Sequence, residues 1–509
     1  MKRIVALLLL ALCLVSCTAA ETPEGKDTDA TLETEEQRAP ETTSRVEEEP
    51  EEPTPFYQVE AEPTLTAEVN GVVTIGSERQ LFVDSFLINE TVSDAYINLE
   101  TPVKQEIVFR FDKAYERGDC VYHNIVKMPD GTYRMYYKAY SGLRRICYIE
   151  SEDGLTWTRP ELTTNMQNGQ KTNIVTTEDA SPDNLFVFYD TNPICPDGRR
   201  IKGVYGQWGE FLALQYSYNG KGEHFPFGGS FGERVMGKAP STKGCYYDTL
   251  NTMYWDEYRK QYVAFVRGFH NEKGNYALTA TFVSNYPHKI IRDIRVAFSD
   301  NGTTWSIPEP LKYNVNEEHQ MYANAITPYY RSPGLYVAMP TRFFEESKDK
   351  RTQVYFMTSR DLLNWNRTEA PYLNPENADS FSYSQGNGYP CVGFIETAEN
   401  EMSFYMKEKS SVPTLYRYSL RTDGFTSAMG TSLTTKPFTY KGEGLELNFN
   451  GELKVTMTNA EGYTVTSDWI SGDEINKTVK FNGELPTGES TLTFEMKEGT
   501  KLYSFKFNK

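Results

Sequence analysis

Three Ser-x-Asp/Asn-turn-Trp phrases and a worn fourth recur along this chain, each closing a block of strand-like sequence. They read SEDGLTW at Ser151 to Trp157, SDNGTTW at Ser299 to Trp305 and SRDLLNW at Ser359 to Trp365, with a degenerate SYNGKGE beginning at Ser217. Their starts lie 66, 82 and 60 residues apart, the length of a four-stranded antiparallel sheet with long connections. Upstream of each phrase a strand-like segment begins with asparagine: Asn124, Asn184, Asn251 and Asn324. A turn and a second apolar run follow each time, as in YRMYYKAY from Tyr133 and YVAFVRGF from Tyr262. A fifth block from Tyr389 keeps the first hairpin and ends at LYRYSLRTDGF without the tryptophan phrase. The expected fold is therefore all-β: a five-bladed β-propeller over residues 64–428.

After RTDGFTSAMG the texture changes to short alternating strands such as LELNFN, LKVTMTNAEG and STLTFEM, with Asn-Gly turns at 450–451 and 482–483. Period-two patterning over 429–509 predicts a small β-sandwich with a packing role. Ahead of the first block, QLFVDSFLI at Gln80 to Ile88 reads as a strand that closes the ring by completing the last blade, because an unpaired sheet edge invites aggregation.

The N-terminus carries Lys2 and Arg3, the apolar run IVALLLLALCLV, then Ser16 and Cys17. That run is too short to span a bilayer stably and reads as an export signal over residues 1–16. The ending LVSC resembles a bacterial lipobox, which makes Cys17 the lipidated first residue of a mature protein held at a membrane of the cell envelope or surface. Residues 17–63 form an acidic tether of Glu, Thr and Pro that cannot bury enough apolar surface to order itself. Between 18 and 63 there are 15 acidic and 3 basic side chains, so most of the chain's net charge of −18 belongs to the tether. Such a balance excludes nucleic acid as a partner. Of the seven cysteines, Cys120, Cys147, Cys195, Cys245 and Cys391 lie in the folded part without a CxxC pair, which reads as small buried residues; no metal and no cofactor is expected.

In an up-and-down blade the starts of the inner strands and the ends of the second strands share one face, while the tryptophan phrases lie on the other. The phrases are structural, since Asp or Asn with Gly makes the turn and Trp fills between strands. At the opposite mouth gather Asn124, Asn184, Asn251 and Asn324, with Glu116, Asp119, Asp183, Asp248, Glu317 and Glu318 just upstream, and His123 and His319 beside them. Lys138, Arg267 and Arg342 end second strands on that face. Carboxylates converging from several blades suit glycoside cleavage, in which one protonates the leaving oxygen and another activates water or attacks carbon. Asp119, Asp183, Asp248 and Glu318 are the catalytic candidates; His123, Asn124, Lys138, Asn184, Asn251, Arg267, His319, Asn324 and Arg342 are the candidates to bind substrate. An asparagine repeated at one place in four blades serves equally well to bond neighbouring backbone at a blade junction.

With the blades placed, residues 78–509 resemble a family of exported five-bladed propeller proteins similar to glycoside hydrolase family 32 and 43 enzymes. The resemblance rests on LFVDSFLI, NTMYWDEYRKQYVAFVR, FMTSRDLLNWNR, LTTKPFTY and LYSFKF. It implies a carbohydrate partner and a site of three carboxylates like that of family 43, to which Asp119, Asp183 and either Asp248 or Glu318 would correspond. The nucleophile, Arg-Asp-Pro and Glu-Cys motifs of family 32 are not found in this chain. The competing readings are a non-catalytic glycan-binding lipoprotein and a sialidase-like enzyme.

Overall fold

The computed structural model describes residues 67–508 apart from 178–181, 208–210, 228–231, 238–244, 272–289, 317–318, 346–349, 374–387 and 409–411. Cys17, Glu317 and Glu318 therefore lie outside the described residues. Apart from two single 3-10 turns, every regular element among the described residues is a strand. Within Tyr133–Ser141 the alternation is complete: Met135, Tyr137 and Ala139 enter one core and Tyr136 enters another. Its neighbour Leu143–Ser151 repeats the division, Cys147 and Ile149 to one side and Ile146 and Tyr148 to the other. A strand buried on both faces belongs to a sheet packed between two others.

The sheets succeed one another along the chain. The first is Asp119–Lys127, Tyr133–Ser141 and Leu143–Ser151; the second is Phe186–Tyr189, Ile201–Gln207, Phe211–Tyr216 and Gly232–Gly237. The third is Thr252–Asp256, Gln261–Asn271, Ile290–Ser299 and Glu309–Pro310. In the fourth, Ile326–Tyr329, Ser332–Ala338, Met357–Ser359 and Asn364–Arg367 run antiparallel, and Lys312–Tyr313 joins the edge in parallel. The last comprises Ile395–Ala398, Glu401–Glu408 and Thr414–Arg421, completed by Val103–Arg110 from far upstream. The last sheet also meets the first, because the Ile125 amide donates to the Val392 carbonyl and the Val392 amide to the His123 carbonyl, each at 2.9 Å.

Closure by an upstream strand was expected, but from a different segment. Gln80–Leu81 pairs with Lys501–Asn508 instead, Val72–Gly76 lies parallel to Phe438–Tyr440, and Tyr96–Leu99 pairs with Thr426–Met429. These upstream strands belong to a twelve-stranded sheet built mainly from residues beyond Thr426. Phe82 explains the choice, since its ring meets Phe494 at 6.3 Å and Phe505 at 5.8 Å in a core with Leu447, Phe449 and Val455.

Each full tryptophan phrase folds the same way. The Ser151 hydroxyl accepts the Gly154 amide at 2.8 Å, the Asp153 carboxylate accepts the amides of Leu155 and Thr156, and the Trp157 indole donates to the Gly154 carbonyl at 2.9 Å. Ser299, Asn301 and Trp305 repeat the pattern, as do Ser359, Asp361 and Trp365. The phrases serve as folding devices, as their composition predicts.

Candidate functional site

The inner strand Asp119–Lys127 slips register between Val121 and Asn124, and Tyr122 sits there at φ 60°. A bulge with a left-handed residue resets the side-chain alternation, and such strained positions cluster at working sites. Here the Tyr122 ring meets Tyr389 at 5.9 Å, and Tyr389 meets Tyr322 at 5.6 Å. Three tyrosines from different parts of the sheet series thus converge at one point.

Cations cap these rings. Lys138 Nζ lies 4.9 Å from the centre of Tyr122, and Arg267 lies 4.3 Å from that of Tyr322 while also donating to the Tyr322 carbonyl. A cation over a ring face is attracted by the quadrupole, more strongly where water is excluded. Carboxylates complete the cluster. Asp248 accepts from Arg267 at 2.7 Å. Asp183 stands 3.4 Å from Arg144 and 3.9 Å from Lys138, and Asp119 is paired with Lys407 of the last sheet.

The electrostatics tie these pairs into one site. Burial pushes the Lys138 ammonium below the usual lysine value, Asp183 pulls it back, Arg144 adds to the lowering, and Asp119 and Asp248 both oppose it. Burial raises the Tyr122 phenol to about 12; Arg267 and Thr249 oppose the rise, while Asp248 and Asp183 add to it. Burial works most strongly against the Arg267 charge, but Asp248, Tyr322 and Tyr122 together outweigh it and hold the guanidinium more firmly protonated than usual. Asp119, Asp183 and Asp248 therefore all act on Lys138, and Asp183 and Asp248 also on Tyr122.

Other candidates take different places. Asn124 is buried with its amide donating to the Val187 carbonyl at 2.7 Å and its oxygen accepting the Val187 amide at 3.3 Å, so it stitches the first sheet to the second. Asn251 binds the carbonyls of Tyr247 and Thr249 and the amide of Arg267, and Asn324 binds the Phe265 carbonyl of the preceding sheet. Asn184 is likewise buried, and its oxygen accepts the Gly206 amide at 3.4 Å. Asn124 and Asn324 thus tie neighbouring sheets together, whereas Asn251 and Asn184 brace the backbone of their own sheets. Buried Glu116 accepts from Tyr137 at 2.6 Å and Arg159 at 2.7 Å, which accounts for both its oxygens.

His123, 1% exposed, turns its ring to Phe111 and Tyr137, 5.4 and 5.7 Å away. Arg342 turns elsewhere: it donates to the Tyr355 hydroxyl at 2.8 Å and covers Phe344, while Phe343 between them faces Tyr322. Strand alternation puts Arg342 on the face opposite Phe343. His319 lies on the side of Arg342, its ring 5.1 Å from Tyr355. Glu318, outside the described residues, immediately precedes it.

Sequence reasoning missed Tyr122, Tyr322, Tyr389, Arg144 and Lys407. Only the last offered a signal, as the end of the second strand in the block from Tyr389. Among the described residues there is no group of three or more His, Cys, Asp or Glu poised to hold a metal, and Cys120, Cys147, Cys195, Cys245 and Cys391 are buried.

The cluster offers carboxylates to accept hydroxyl protons, cations to donate to oxygens, and ring faces for C–H surfaces. Similar solved structures include a glycoside hydrolase (14% identity, 63% of this chain and 92% of that one, TM-score 0.45). Another is an N-acetylgalactosamine deacetylase from F. plautii in complex with blood group B trisaccharide (12%, 65% and 96%, TM-score 0.42). The endo-arabinase from Bacteroides thetaiotaomicron VPI-5482 matches at 11%, over 62% and 98%, with a TM-score of 0.38. No protein-family model and no curated protein matches the chain.

Proposed function

We propose that the chain is an exported, lipid-anchored glycoside hydrolase, built as a five-bladed propeller with a C-terminal β-sandwich and working through Asp183 and Asp248. The observation that carries the reading is the cluster around Tyr122 and Lys138, to which successive sheets contribute ion-paired carboxylates beside ring faces. Sheets in series, the last completed by Val103–Arg110, support the blade count. The lipobox-like LVSC supports anchoring at Cys17. In this reading Asp183 and Asp248 supply the acid and the base or nucleophile, Asp119 and Glu318 are the further acidic candidates, and Arg267 and Lys138 hold sugar oxygens.

The test is hydrolysis of a panel of plant and host glycans by the mature chain. Asp183→Asn and Asp248→Asn are each expected to lower turnover at least about 100-fold with little change in KM, as expected when proton transfer is lost but binding stays. Unchanged turnover in both variants rejects the assignment. Cys17→Ser is expected to move the protein from the membrane to the soluble fraction.

One observation favours a second reading, a non-catalytic glycan binder: each described carboxylate of the cluster already has a cation partner. In that case the wild-type protein binds glycans and releases no reducing ends.

A further inference from the structure

The inner strands of the first four sheets begin at the cluster and run away from it, and at their far ends a separate cavity of about 420 Å³ opens. Its lining comes from Lys127, Tyr189, Asp256 and Tyr329, the last residues of those four strands, and from residues next to them. It is therefore the opposite end of the same bundle of strands, separated from Asp119, Asp183 and Asp248 by the length of the inner strands. A volume of this size suits a small ligand, within the roughly 300 to 1,000 Å³ of such sites.

Aromatic faces dominate the walls: Tyr189, Trp255 and Tyr330. Two of them are braced by a neighbouring ring. Trp255 sits edge-on to Tyr262 at 5.0 Å, and Tyr330 edge-on to buried Tyr329 at 4.9 Å, yet Tyr330 keeps 42% of its surface exposed. A large aromatic held open to water at the edge of a concavity is a preorganised stacking platform, because little side-chain freedom is left to lose on binding. The rim adds Lys127, Thr191 and Glu257, all exposed: a cation, a hydroxyl and a carboxylate. Asp256 is engaged by Arg259 at 2.6 Å and contributes no free charge.

Rim charges of both signs cancel, so the cavity selects neither an anion nor a cation. Ring faces with interspersed donors and acceptors match a molecule with apolar C–H faces and an equatorial belt of hydroxyls. We propose that this cavity is a second carbohydrate site, taking one or two neutral sugar rings stacked on Trp255 and Tyr330. The inference rests on the glycan reading above and extends it: the molecule grips glycan at both ends of its strand bundle, one end for the working cluster and one for retention.

Titration calorimetry of the full chain with neutral arabino-, galacto-, xylo- and gluco-oligosaccharides tests this. Wild-type protein is expected to show two classes of site for at least one series. Tyr330→Ala should weaken one class at least tenfold while turnover of a short substrate stays unchanged, and Glu257→Gln should weaken the same class severalfold. Asp248→Asn should leave that class untouched. Both exchanged side chains are exposed, so the variants fold. Wild-type affinity in both variants, or loss of all binding in Asp248→Asn, overturns the second site and leaves the glycan reading standing. Weakening by Tyr330→Ala of a planar aromatic competitor alone, with no sugar bound there, also overturns it. Failure of wild-type protein to bind or cleave any glycan overturns both.

Discussion

His123 shows how a single side chain can look functional in sequence and prove structural. It sits beside Asn124 in the first inner strand, but the left-handed bulge at Tyr122 shifts the alternation, sending Tyr122 to the cluster and His123 against Phe111 and Tyr137. A one-residue shift exchanges the two faces of a strand, and neither Gly nor Asn marks this one in the sequence. Burial, with Lys407 adding, holds the imidazole down to about 3. An unfolded histidine takes its proton near pH 6.5, whereas this one stays neutral in the folded state until about pH 3. The folded form thus binds fewer protons over that window, and its stability falls as pH drops from 6.5 towards 3 by about 1.4 kcal/mol per unit. His123→Phe keeps an aromatic ring and removes the titration. Denaturant midpoints at pH 7.5 and pH 5 should show wild type losing about 2 kcal/mol more than the variant over the interval. An identical pH slope in the two proteins would show that His123 does not carry this loss.

The turn-and-tryptophan element was legible because all its hydrogen-bond partners lie within six residues of one another. Its packing was not. Trp157, 6% exposed, meets Tyr405 of the last sheet edge-on at 5.5 Å, and Trp365 meets Phe265 of the third sheet at 5.8 Å, so each ring wedges two sheets together. Trp305 keeps its indole bond but is only partly buried. Trp157→Ala is expected to lose about 3 to 5 kcal/mol, in the range for deleting a buried aromatic, and Trp305→Ala clearly less. Urea unfolding decides, and equal losses would mean that the shared turn bonds, not the wedge, set the cost. Partner choice also separates the strand at Gln80 from its expected place: alternation predicts that a segment is a strand, but Phe82 and its contacts with Phe494 and Phe505 select the sheet.

Across the whole molecule, strand starts fall at one end by topology, and there Asp119, Asp183 and Asp248 all act on Lys138. The coupling of the sheet series to the twelve-stranded sheet had no signature in the sequence. It centres on Asp423, fully buried at φ 63° in what reads from sequence as an ordinary Thr-Asp-Gly turn. Its carboxylate accepts from Tyr329 of the fourth sheet at 2.7 Å, and from Ser504 at 2.7 Å and Asn448 at 3.0 Å in the twelve-stranded sheet. Arg331 lies 3.1 Å away and Arg79 3.6 Å. Burial lowers the Arg79 pKa and Asp423 is the main group opposing it, so removing the carboxylate would leave two guanidinium groups facing each other in a dry junction. Breaking a buried pair from one side destabilises by about 3 to 5 kcal/mol, far more than a surface pair would. Asp423→Ala should therefore lower the melting temperature and, because the side chain joins two separate cores, split one calorimetric transition into two. Ser504→Ala, which removes a single donor and leaves the charges paired, should lower stability by about 1 kcal/mol and keep one transition. A single transition in Asp423→Ala, shifted no further than in Ser504→Ala, would show that the two cores are coupled by their apolar contacts and not by this carboxylate.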